Sequence, residues 1–147
     1  MKKEIKETLA PCGLNCKKCQ AYYKGDIKFH SLQLKEALGS FERYAEKFSA
    51  FMPIFKNYPQ FKEMLELFTQ GECQGCRSGA CVNTLCRVPG CTAEHKVDFC
   101  CQCAEFPCEK SGLDSDLLKR WTVMNQRMRE IGIEQYYEES INLPRYR

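Results

Sequence analysis

The stretch Cys73-Gln-Gly-Cys76-Arg-Ser-Gly-Ala-Cys81-Val-Asn-Thr-Leu-Cys86-Arg-Val-Pro-Gly-Cys91-Thr-Ala-Glu-His-Lys-Val-Asp-Phe-Cys100-Cys101-Gln-Cys103-Ala-Glu-Phe-Pro-Cys108 carries nine cysteines in 36 residues. Three more stand at Cys12, Cys16 and Cys19, which makes twelve thiols in a chain of 147 residues. Such density has three outlets: a disulfide framework, metal coordination or thiol redox chemistry. The opening Met1-Lys-Lys-Glu-Ile-Lys-Glu-Thr-Leu-Ala10 mixes acids with bases and leads into no apolar run before Cys12. A secretory signal needs such a run of roughly 7–15 residues, and a membrane span needs about 18. The expectation is therefore a cytoplasmic protein without a membrane partner. In a reducing compartment, clustered cysteines serve as ligands more often than as bridges.

Spacing refines that expectation. Cys73-x2-Cys76, with Gly75 between, has the form of a zinc knuckle, whose backbone amides point at the sulfurs and soften their charge. Cys100-x2-Cys103 repeats the spacing, and with Cys73 and Cys76 it would complete a four-cysteine site. Cys12-x3-Cys16-x2-Cys19 lets one tight loop turn three sulfurs toward a point about 2.3 Å from each. Gly13 and Asn15 suit the positive φ that such a loop demands. The vacant fourth position is either closed by a distant cysteine or open for chemistry. Between the knuckles, Cys76, Cys81, Cys86 and Cys91 recur at five-residue intervals, which matches no standard knuckle. Cys101 reads as a free or buried thiol beside Cys100. His95, four residues after Cys91, and His30 read as surface or core histidines ahead of ligands.

Taken in order, Pro11-Cys12-Gly-Leu-Asn-Cys16-Lys-Lys-Cys19-Gln-Ala-Tyr22, Cys73-Gln-Gly-Cys76-Arg77, Cys86-x4-Cys91 and Cys100-x2-Cys103-x2-Phe106-Pro107-Cys108-Glu109 resemble the domain-of-unknown-function family 3795, whose members are small bacterial and archaeal proteins. Ile131-Gly-Ile-Glu-Gln-Tyr136 resembles a short helix start common there. The resemblance implies that ten cysteines belong to the pattern: Cys12, Cys16, Cys19, Cys73, Cys76, Cys86, Cys91, Cys100, Cys103 and Cys108. Cys81 and Cys101 look like additions. Many members continue into a further cysteine pair after the final helix, where this sequence reads Leu143-Pro-Arg-Tyr-Arg147. The resemblance implies metal binding and names no substrate. The triplet spacing alone also resembles that of radical-SAM enzymes, but Lys18 stands where those carry an aromatic, and no strand–helix repeat follows.

The ten thiols are the predicted metal ligands, with zinc as the cofactor and a 4Fe–4S cluster as the alternative. Thiolates suit both, and the knuckle favours zinc. The formal charge is +3, and each four-thiolate zinc site would lower it by about 2. Apparent basicity is thus no argument for a nucleic-acid partner. Lys119, Arg120, Arg127, Arg129, Arg145 and Arg147 could line a basic stripe, yet Asp114, Asp116, Glu130, Glu134, Glu138 and Glu139 surround them. That reads as a mixed-charge helix surface, and a protein partner is expected ahead of a nucleic acid.

The remaining segments read as helices. Leu34, Leu38, Phe41, Ala45, Phe48 and Met52 share one face of a helix over 31–52, which carries Gly39 inside it and stops at Pro53. A second helix covers 59–69. A third begins after Asp114 and turns Leu117, Trp121, Met124, Met128 and Ile131 inward, and Gly132 separates it from a last short helix ending at Ser140. The fold class expected is mainly α with a loop-rich, metal-stabilised cysteine module and room for one short β-hairpin. One domain over 1–147 is expected, with the triplet of 1–23 returning to the 73–108 module, and 24–72 and 109–147 helical. No phosphate-cradling glycine loop, His-Glu-x-x-His helix or nucleophile elbow is present. Glu94, Asp98 and Glu105 read as solvated acids. A non-catalytic, metal-stabilised interaction module is the expectation, an iron–sulfur redox or sensing protein the alternative, and an enzyme the least supported.

Overall fold

Residues 3–79 and 81–146 are described by a computed structural model. In chain order its α-helices are α1 (Lys3–Thr8), α2 (Asp26–Leu38), α3 (Glu42–Phe48), α4 (Tyr58–Thr69), α5 (Val88–Glu94), α6 (Ser115–Ile131) and α7 (Ile133–Ile141). The described residues contain no strand. In place of a hairpin there is isolated bridge pairing, as in the antiparallel bridge between Leu9 and Asn15. Among the described residues no helix is long and apolar enough to cross a membrane. The chain divides into two compact units, one of Met1–Cys19 with Cys73–Arg147 and one of Gln20–Glu72. All twelve cysteines fall in the first unit, so the triplet does share a unit with the later module.

In that unit α6 forms as its sequence dictates. The Asp114 side chain accepts hydrogen bonds from the amides of Asp116 and Leu117 at 3.1 and 3.0 Å, a good N-cap. Trp121, Met124 and Met128 then fall on one face and are buried. Gly132, at φ 84°, ends α6 and opens α7, whose Tyr136 and Tyr137 are buried in turn. Arg127 braces the corner through Glu139 at 2.7 Å. Ile5, Leu9, Val88, Phe99 and Phe106 complete the interior, and burial of each such side chain contributes about 1.5–3 kcal/mol. Phe106 meets Trp121 edge to face, with ring centroids 4.8 Å apart.

The Gln20–Glu72 unit departs from the sequence reading at Gly39. There the chain adopts φ 50°, ψ −124° and α2 stops, so the helix expected over 31–52 is two helices, α2 and α3. The expected stripe breaks with it. Ala45 is buried, but Leu34 and Met52 are 44% and 47% exposed. Phe41, Phe48, Phe55 and Tyr58 instead form an aromatic cluster. Lys35–Glu66 at 2.6 Å and Lys62–Glu42 at 3.0 Å bridge across to α4.

Candidate metal centre

Two cysteine turns have the same local form. Cys16–Lys18 and Cys100–Gln102 are each one 3-10 turn between extended residues, Asn15 and Cys19 in one case and Phe99 and Cys103 in the other. In each, the second cysteine of the x2 pair donates its amide to the carbonyl of the first, at 2.9 Å for Cys19 and 3.0 Å for Cys103. Side chains hold the entries. Asn15 Oδ1 accepts from the Lys17 amide at 3.0 Å, and Gln102 Oε1 accepts from those of Asp98 and Phe99 at 3.0 Å. Gly13 takes the expected positive φ, 93°, whereas Asn15 stays extended and serves as a cap.

The core fixes these loops from beneath. The Cys100 amide donates to the Pro11 carbonyl at 2.9 Å, which ties the two cysteine loops together. Asn125, with no exposure at all, donates Nδ2 to the Cys12 carbonyl at 2.9 Å and to the Trp121 carbonyl at 2.8 Å. Tyr136 Oη donates to the Gly13 carbonyl at 2.9 Å. Two arginines act as clamps. Arg77 donates to the carbonyls of Lys6 and Asp98 and lies over the Phe99 ring. Arg129 donates to those of Cys101 and Cys103 and lies over Phe106. Each guanidinium satisfies two carbonyls, one of those on Arg77 being in α1, and covers one aromatic face, which an ammonium could not do.

None of the twelve cysteines is in a disulfide. By the charges that shift them, the sulfurs form two neighbourhoods that meet at Cys12, which both Cys86 and Cys100 raise. In the first, the Cys76 thiol shares a hydrogen bond with Cys16. That bond is the main reason Cys16 is pulled from 9.0 down to about 7, with Arg145 and Arg77 adding to it, while the pKa of Cys76 is pushed up. Cys12 and Cys81 raise Cys76 further, and Cys81 also adjoins Cys86. Cys12 is buried, and desolvation pushes it up to about 12. In the second neighbourhood, burial raises Cys91, with Cys108 and Cys103 adding their charge. Burial likewise pushes Cys100 up to about 11, with Cys91 and Cys108 among the contributors.

Amide and indole donors face several of these sulfurs. The backbone N–H two residues on points at Cys12 from Leu14 and at Cys86 from Val88, lowering each thiol pKa against the upward push of burial. The Gly75 amide reaches Cys73 Sγ at 3.4 Å, the arrangement the knuckle spacing predicts. The Trp121 Nε1–H is buried without an acceptor at hydrogen-bond geometry. The indole lowers the pKa of Cys100 against the upward push of burial.

Among the described residues no three Cys, His, Asp or Glu side chains are gathered closely enough to close on one ion. Cys76 and Cys16 shift each other's pKa, and Cys91 and Cys108 are among the charges that raise Cys100. Cys19 receives a hydrogen bond from Tyr146 Oη at 3.8 Å. Cys101 is buried beside Arg129. Cys81, set aside from sequence, stands beside Cys76 and Cys86, and its signal was the five-residue repeat. His95 contacts Glu105 through Nε2 at 3.1 Å and the Cys91 carbonyl through Nδ1 at 3.0 Å. Arg120 donates to the Arg145 carbonyl at 2.6 Å and Arg127 pairs with Glu139, so both basic groups have internal partners. Arg147 lies outside the described residues.

A family model described as a protein of unknown function, DUF3795, matches residues 8–112. No curated protein matches the chain, and no solved structure does.

Proposed function

The chain belongs to the DUF3795 family of unknown function, and from its own thiols we propose that it is a thiolate metal-binding protein whose zinc ions hold the cysteine loops in place for a protein-interaction module. The observation that carries this reading is that all twelve thiols, from distant parts of the sequence, fall in one compact unit, where Cys16 and Cys76 perturb each other's titration. Thiols are poor partners for one another, and burial without compensation disfavours the thiolate. A soft divalent cation that takes the place of the protons reverses that penalty, because its ligands bind deprotonated.

The surrounding groups fit such an ion. The amides of Leu14, Gly75 and Val88 directed at Cys12, Cys73 and Cys86 offset thiolate charge, as does the Trp121 indole at Cys100. Arg77 and Arg129 hold the loop carbonyls whether or not charge develops on the sulfurs. Zinc would supply cross-linking of loops that carry little apolar surface. The internal engagement of Arg120, Arg127 and Arg129 favours a protein partner over a nucleic acid.

The test is elemental analysis of full-length protein purified without oxygen, with an absorption spectrum of the same sample. About two zinc ions per chain in a colourless solution is the expected result. Iron with matching sulfide and a broad visible absorption would transfer the protein to the redox or sensing alternative. Replacing Cys76 by serine should cost metal and lower the melting temperature. Metal-free wild-type protein, or unchanged metal content and melting temperature in Cys76→Ser, would overturn the assignment.

A further inference from the structure

The Gln20–Glu72 unit carries no cysteine, but it ends in a bare apolar tip. Between α3 and α4 the five residues Ala50 to Ile54 are all exposed, with Phe51 at 69%, Met52 at 47% and Ile54 at 67%. Tyr44 on α3, also exposed, joins them through Phe48, whose ring lies 6.3 Å from that of Tyr44 and 5.6 Å from that of Phe51. The tip is held in place. The Phe51 and Met52 amides both donate to the Phe48 carbonyl, at 3.1 and 2.8 Å, and the Phe55 amide donates to that of Met52 at 3.1 Å. Phe48 and Phe55 pack on each other and on Phe41, so the half-buried rings support a turn whose own apolar side chains face water. A contiguous exposed patch of this kind marks a contact with another protein or with a membrane.

The charges decide between partners. The sixteen residues from Lys47 to Lys62 hold three lysines and no acid. Lys62 pairs with Glu42 at 3.0 Å, and Arg43 and Glu46 offset each other in charge on α3. Among the described residues neither Lys47 nor Lys56 is in an ion pair, so one exposed cation precedes the tip and one follows it. A second copy of the chain would bring like charges together. Protein interfaces are depleted of lysine and favour arginine. A nucleic acid could stack on Phe51 and Tyr44, but Met52 and Ile54 offer no ring to a base. A leaflet of anionic lipid suits both features, because apolar side chains enter the boundary between headgroups and acyl chains while lysines beside them meet headgroup charge.

We propose that the 50–54 tip docks on the surface of an anionic lipid membrane, with Phe51, Met52 and Ile54 entering the headgroup boundary and Lys47 and Lys56 meeting the phosphates. Contact with one leaflet needs no spanning helix. The inference goes beyond the metal-binding reading and does not depend on it, since the tip holds no thiol.

The experiment mixes full-length protein with sedimentable vesicles of phosphatidylcholine and phosphatidylserine, about two to one, and with vesicles of phosphatidylcholine alone. The bound fraction is followed against lipid concentration. The expected result is binding to the anionic vesicles that weakens as salt rises, with binding to the neutral ones about tenfold weaker or more. Ile54→Gln should weaken binding to the anionic vesicles by about tenfold, and Lys56→Gln by about fivefold. Both side chains are exposed, and circular dichroism checks that each variant keeps its fold. Should Ile54→Gln not fold, Lys56→Gln and the comparison of the two vesicles decide. Wild-type protein that ignores anionic vesicles would overturn the inference, as would equal binding to both kinds or unaltered binding by folded Ile54→Gln. A dimer that Ile54→Gln dissociates, without vesicle binding, would assign the tip to a second copy instead. Binding of a single-stranded oligonucleotide that needs Phe51 and Lys56, without vesicle binding, would assign it to nucleic acid. Vesicle binding is read independently of metal content, so either reading can fail alone.

Discussion

Asn125 is the residue that ties the first cysteine loop to the helical core. It occupies a helical position otherwise suited to an apolar side chain, four residues after Trp121 and three before Met128, and it is wholly buried. Its Nδ2 satisfies the Cys12 carbonyl, which has left regular structure and needs a donor. Asn125→Ala should therefore lower stability by about 2 kcal/mol, from the stranded carbonyl and the small cavity together. Denaturant unfolding followed by tryptophan emission would measure it, and a loss under about 0.5 kcal/mol would contradict the role given to the amide. Nothing in the sequence marks this residue, since an asparagine in a helix with a polar outer face reads as surface. Gly13 was legible, because a tight loop between cysteines calls for a backbone only glycine adopts freely. A Cβ there would stand 2.8 Å from Met128 Cε, so the loop also packs too closely on α6 for a side chain.

At the scale of elements, the contrast lies between α6 and α2. The α6 start, its buried face and its end at Gly132 were all readable, because cap, periodicity and terminator agree on one answer. Over 31–52 they did not agree. The apolar spacing ran through Gly39 and suggested a continuous helix, and the backbone stops there instead. Substitution decides between the two with opposite signs. In a continuous helix Gly39→Ala would stabilise by about 1 kcal/mol. At φ 50°, ψ −124° an alanine is strained, and although its Cβ would meet nothing within 4 Å, the backbone alone should cost about 1–2 kcal/mol. We expect destabilisation, read from thermal unfolding followed by circular dichroism. A raised melting temperature would restore the single helix. The helix α5 was missed for a related reason. The 73–108 module was expected to be loop-rich, yet proline near a helix N-terminus sacrifices no hydrogen bond, and Cys91 sits in that helix.

For the molecule as a whole, one domain was expected over 1–147, and the chain divides into two compact units. The cysteine-free segment read as 24–72 corresponds to the compact unit Gln20–Glu72, and every thiol lies in the other unit. The ligand pairing was not legible, because it depends on which loops meet in space, and sequence spacing reports only which cysteines share a turn. If metal holds the thiol-bearing unit together, its removal should act on one unit and not on both. The Gln20–Glu72 unit has its own aromatic cluster and its own Lys35–Glu66 and Lys62–Glu42 pairs, none of which involves a sulfur. We therefore expect a strong zinc chelator under reducing conditions to abolish amide hydrogen-exchange protection around 12–19, 73–108 and the start of α6. Protection within α2 and α4 should remain, because local stability follows local burial and bonding. Both units losing protection in step would mean that the metal sites stabilise the chain as one cooperative whole. Protection unchanged in both would mean that the loops stand on Asn125, Arg77 and Arg129 without any ion.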